Sequence, residues 1–196
     1  MTMPPTPEFL LAIASGVVLS AACGLRAFLP PFAVGIAARL GWIQLAPSVQ
    51  WLETTPALVC LGVATLVEIA GDKIPIVDHA LDAIGTVVRP AAAFLAGFAL
   101  LAHWPTPWGQ LAALLLSGGA LFVHALKAKT RIGSTALTLG HANPLLSTAE
   151  DATALGLVVA ALLVPLLALT LVIVLIVVLA RLRATRARRG NAAPEH

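Results

Sequence analysis

Charge is scarce in this sequence. Only 11% of its 196 residues are Asp, Glu, Lys or Arg, while 59% are hydrophobic, and the mean hydropathy is +0.96. A soluble globular domain is nearer half apolar and a quarter charged. The apolar excess is gathered into long runs, which excludes an ordinary water-soluble domain and implies a membrane protein. Cysteine is scarcer still. Cys23 and Cys60 both lie in apolar runs, with neither a disulfide framework nor a metal-ligand spacing, and read as small buried thiols. No basic residues precede the first apolar run, so a cleaved signal peptide is not expected.

Catalytic signatures are also missing. There is no Gly-x-Ser-x-Gly elbow, no His-Glu-x-x-His and no phosphate loop. His79, His103, His124 and His141 lack metal-ligand spacing, and His124 reads as a helix-packing residue. No cofactor and no nucleic-acid partner are implied. The partners implied are the lipid bilayer, an ion or small solute, and a second copy of the chain in a homodimer.

What is present is a set of apolar segments divided by polar ones. The sequence predicts an all-α polytopic bundle with about six membrane segments, some broken or re-entrant. They fall at 9–40 (interrupted by Pro30-Pro31), 56–72, 75–104, 110–128, 130–143 and 144–180. Residues 1–8 form a short lead, 105–109 an interfacial turn, and 181–196 a basic tail that holds five of the twelve Lys and Arg residues. Trp42 and Trp51 read as interfacial anchors. Several segments are too short to cross about 30 Å unless the polar stretches beside them also enter the membrane.

The two halves, 9–104 and 110–180, can be superposed on two motifs. Arg26 to Gly35 matches the Arg131 to Gly140 spacing, and Pro75 to Asp82 matches Pro144 to Asp151. Three segments per half predict an inverted repeat, an arrangement that in transporters encloses a site near the midplane. The positive-inside rule then puts the N-terminus, Lys73, Arg89, Lys127, Lys129, Arg131 and the tail on the cytoplasmic side of a bacterial inner membrane, with only Arg39 offending.

The most informative stretch is Glu68 to Asp82, where Glu68, Asp72, Lys73, Asp78, His79 and Asp82 interrupt the apolar pattern. A charge within the bilayer is seldom kept without a partner or a task. Glu68 and Asp72 are four apart, as are Asp78 and Asp82, so each pair shares a helix face. Two such carboxylates can hold a cation, share a proton, or pair with Lys73, Arg89, Arg26 and Arg131 in buried ion pairs. Gly71 and Pro75 predict a helix break, and Asn143-Pro144 offers a second one before Glu150 and Asp151. In the alternative reading, Glu150 and Asp151 serve the dipole at the start of the last helix. Arg26, Lys127, Lys129 and Arg131 could bind an anion such as a lipid phosphate, although lysines at helix ends often snorkel to headgroups. The candidate site is therefore Arg26, Glu68, Asp72, Lys73, Asp78, Asp82, Arg89, Arg131, Asn143, Glu150 and Asp151.

Five blocks carry a resemblance: Gly24-Leu-Arg-Ala-Phe-Leu-Pro30, Asp72-Lys-Ile-Pro-Ile-Val-Asp78, Thr86-Val-Val-Arg-Pro90, Lys127-Ala-Lys-Thr-Arg131 and Asn143-Pro-Leu-Leu-Ser-Thr-Ala-Glu-Asp151. Together they resemble a bacterial membrane family labelled domain of unknown function 4126, over roughly residues 10–175. The resemblance implies an integral membrane protein and assigns no catalytic residue. Three functions stay open: a small transporter or permease, a membrane enzyme on a lipid or isoprenoid phosphate with a divalent metal, and a non-catalytic scaffold.

Overall fold

The computed structural model describes residues 7–105, 107–138 and 141–163, without the side chains of Pro75, Ile76, Asp78, His79, Ala136 and Leu137. The basic tail lies outside the described residues. Every regular element among the described residues is helical: α1 (Pro7–Leu25), α2 (Leu29–Arg39), a 3₁₀ segment (Pro47–Glu53), α3 (Thr55–Gly71), α4 (Pro75–Leu101), α5 (Trp108–Thr138) and α6 (Asn143–Leu163).

Among the described residues, four helices are long and apolar enough to cross a membrane: α1, the 80–101 part of α4, the 108–135 part of α5, and α6. A fifth crossing arises if the 3₁₀ segment and α3, bent by 62° at their junction, count as one broken span. The outer faces carry Val63, Leu66, Val87, Leu115, Phe122 and Leu155, all exposed. In water such a surface would be a liability; in hydrocarbon it is the expected coat.

Prolines set the breaks. Ile74, just before Pro75, takes an extended conformation (φ −110°, ψ 112°) and parts α3 from α4. Pro30 and Pro31 stand in the first turn of α2, where a missing N–H costs nothing, so the chain breaks over Arg26–Phe28 just ahead of them. Pro90 lies inside α4 without ending it.

The expected separation of 110–128 from 130–143 is not found. α5 is one helix of 31 residues, about 46 Å long against a hydrocarbon core of about 30 Å. No proline interrupts it, and its polar residues are accommodated locally: Thr130 donates to the Leu126 carbonyl and Thr138 to that of Ser134.

Helix directions are read from close contacts. Gly16 of α1 faces Leu116 of α5, and Gly24 faces Ala120 and Val123, so α1 and α5 run parallel. A Cβ at Gly24 would stand 2.6 Å from Val123 Cβ and 2.7 Å from the Ala120 carbonyl oxygen. This glycine allows the two backbones to approach, as small residues do between membrane helices. α4 runs against both: its Gly97 meets Ala113 and Leu116, while Arg89 reaches Gly24 and His124. The alanine face of α4 (Ala92, Ala93, Ala96, Ala99) is buried in one core with Val34 of α2 and Val49 and Leu52 of the 3₁₀ segment.

These directions bear on the expected inverted repeat. Arg26 follows the last residue of α1 and Arg131 lies toward the end of α5, and those helices are parallel. Pro75 begins α4 and Pro144 lies at the start of α6, and both helices begin at the end of the bundle that holds Arg26 and Arg131. The matched motifs thus sit on helices of like direction, with α2, the 3₁₀ segment and α3 inserted in the first half. Parallel placement follows from an odd number of intervening passes, as with the single pass of α5 between α4 and α6.

Candidate functional site

Glu68 works locally first. Its Oε1 accepts from the Ala27 amide at 2.9 Å and its Oε2 from the Phe28 amide at 3.3 Å. A helix start leaves amides without intrahelical partners. At α2 two of those positions are prolines and Glu68 takes amides just before them, while its negative charge suits the helix dipole. The Phe28 side chain offers no cap of its own.

Asp72, one residue beyond α3, stands at the centre. Its Oδ2 meets three cations: the Arg26 guanidinium, Lys127 Nζ at 2.9 Å and Arg131 Nη2 at 3.0 Å. Its Oδ1 is buried without a hydrogen-bond partner. The side chains of Arg26, Asp72 and Lys127 are wholly inaccessible.

α6 supplies a second set of acids. Glu150 Oε2 lies 3.2 Å from Lys127 Nζ and 2.7 Å from Arg131 Nη2. Asp151 Oδ1 lies 2.6 Å from Arg26 Nη2 as a charge contact outside hydrogen-bond geometry, and Asp151 Oδ2 lies 3.3 Å from Lys73 Nζ. Ser147 accepts from Arg26 Nη2 at 3.1 Å.

Arg89 forms the neighbouring knot. Its Nη1 donates to the Gly24 carbonyl at 2.8 Å and lies 2.6 Å from His124 Nδ1. A guanidinium can only donate, so this His124 nitrogen accepts. Arg89 Nη2 reaches Asp82 Oδ1 at 3.5 Å and Glu68 Oε1 at 3.9 Å. About 18 Å of helix separates Arg89 from Leu101, and its side chain runs back over Gly85 toward the charged end.

Of the sequence-derived candidates, the structure brings together Arg26, Glu68, Asp72, Lys73, Asp82, Arg89, Arg131, Glu150 and Asp151. Asn143 stands apart and donates to Thr135 Oγ1 at 3.0 Å. Asp78 lies in the first turn of α4, and its side chain is outside the described residues. His124 and Ser147 are not among the candidates, and Lys127 is named only as a possible anion binder beside Arg26, Lys129 and Arg131. The signal for Lys127 was its spacing: four residues before Arg131, it shares that residue's helix face.

The described ionisable residues of the candidate site collect at one end of the bundle and pair with one another. One expectation needs correction: the N-terminal end of α1 does not share that end with Lys73, Lys127 and Arg131. Phe9 packs on Trp104 of the α4–α5 turn with ring centroids 5.2 Å apart, at the opposite end.

Elsewhere, an open groove of about 510 Å³ lies along α3, walled by Val59, Cys60, Val63, Val67 and Leu81 with Glu68 at its edge. Among the described residues, no group of three or more His, Cys, Asp or Glu side chains is arranged to hold a metal ion.

Long apolar helices with a lipid-compatible exterior and charges buried against one another define a multi-pass helical membrane protein. The chain belongs to the family described as Domain of unknown function (DUF4126), which matches residues 13–184. No curated protein and no solved structure matches it.

Proposed function

We propose that this protein is a small permease of the bacterial inner membrane, with the charged cluster as its ion or solute site held closed by internal pairing. The observation that carries this reading is the Asp72 carboxylate, inaccessible to solvent and shared by Arg26, just past α1, and by Lys127 and Arg131 of α5. Burying paired charges gives little stability over a well-packed apolar core. A cluster of ten charged side chains within and beside membrane segments therefore calls for a task. Pairs that can be exchanged for a solute or a proton supply one.

The cluster draws on α1, α3, α4, α5 and α6, so any rearrangement of its pairs moves the helices that meet there. Lys73, Lys127, Lys129 and Arg131 at this end favour a cytoplasmic orientation for it. The metal-dependent lipid enzyme is the weaker reading, because the buried carboxylates face cations from their own chain.

The test is transport by the purified chain in proteoliposomes, followed as charge movement on a solid-supported membrane during jumps of pH and of a panel of inorganic and organic anions. The expected result is a current lost in the Asp72→Asn variant when it is compared with wild type at matched amounts of folded protein. Equal currents in wild type and Asp72→Asn would remove the reading.

A further inference from the structure

The cluster is layered by exposure. The cations Arg26, Lys127 and Arg131 have side chains 0%, 0% and 6% exposed, whereas Glu150 and Asp151 are 13% and 21% exposed. Basic groups form the floor, and the acids of α6 cover them. The floor also includes Asp72, buried with the cations.

Among the described residues, Arg26, Lys127 and Arg131 bring three positive charges onto the one negative charge of Asp72, beside the buried Arg89–Glu68 contact whose charges cancel. Glu150 and Asp151 together bring two negative charges from adjacent positions on one helix. Their carboxylate oxygens meet all three cations. Arg26 Nε, fully buried, has no hydrogen-bond partner and is a donor left over in the same floor.

We infer that Arg26, Lys127 and Arg131 form an oxyanion site for a phosphate-type group, and that Glu150 and Asp151 of α6 occupy it as internal stand-ins. This inference deepens the permease reading and rests on it for its role in transport, although the binding itself does not require transport. Arginine forks suit the planar array of oxygens on phosphate, and lysine adds a point charge. An incoming dianion restores the charge balance that the two carboxylates maintain. Lys73, 43% exposed, then releases Asp151 to water at little cost. Fully buried Asp72 stays as the fixed counter-ion. The same oxygens could belong to free phosphate or to a lipid headgroup.

The experiment is equilibrium binding by the full chain. Glu150→Gln with Asp151→Asn removes the stand-ins without touching the floor. In phosphatidylcholine nanodiscs this variant should bind inorganic phosphate about tenfold more tightly than wild type by calorimetry. Adding Arg131→Gln should abolish the gain. If the source is lipid, free phosphate has no effect, and phosphatidylglycerol co-purifies with the double variant more than with wild type. Glu150→Gln alone keeps Asp151 on Arg26 and carries the same prediction at smaller size should the double variant not fold. A folded variant that gains neither phosphate nor phosphatidylglycerol overturns the site. Phosphate binding with no flux of any solute would remove the permease and leave the site standing; flux without oxyanion binding would do the reverse.

Discussion

The ammonium of Lys127 lies 2.9 Å from Asp72 Oδ2 and joins the end of α3 to α5 with both side chains closed to solvent. Asp72 does more than neutralise this lysine, since Arg26 and Arg131 converge on the same oxygen. Its removal strands three cations in a poorly solvated space.

Asp72→Ala should therefore destabilise the protein by about 3–5 kcal/mol, the range for leaving buried charge uncompensated. Lys127→Met should be milder, because Asp72 keeps two guanidinium partners. Thermal unfolding in detergent, read by tryptophan fluorescence, checks the order. Equal melting temperatures for the two variants would contradict it.

Glu68 has a different job from its neighbour. Glu68→Ala leaves the Ala27 and Phe28 amides without an acceptor and should cost about 1–2 kcal/mol, as losing a helix cap does. Glu68→Gln keeps one carbonyl oxygen and should recover part of that. The local readout is hydrogen exchange at Ala27 and Phe28, which should quicken most in Glu68→Ala. Unchanged exchange there would show that the carboxylate serves only Arg89.

The two ends of the bundle should face opposite compartments. A cysteine in place of Lys129 should react with an impermeant maleimide only from the cytoplasmic side, and one in place of Trp108 only from the outer side, with Cys60 changed to Ser beforehand. Reaction of both from one side would contradict the reading of helix directions.

Much of this was legible in the chain. Composition marked the membrane, and Pro75 and Pro144 marked where α4 and α6 begin. Glu68, Asp72 and Arg89 stood out because charge is rare among such neighbours. The rest was hidden for physical reasons. Hydropathy cannot distinguish one long helix with a polar end from two short segments, so the sequence divides α5 into two pieces. Motif spacing carries no direction, and the parallel course of α1 and α5 rests on which small residues meet, Gly16 with Leu116 and Gly24 with Val123. Lys127 looked like a headgroup lysine because sequence alone does not reveal that Asp72 and Glu150 reach it from other helices.

The paired charges gather at one pole, and the connections that carry Trp42, Trp51, Trp104 and Trp108 lie toward the other. Turning the folded chain over would drag several strongly hydrated groups through hydrocarbon, so a molecule once inserted keeps the side from which it entered.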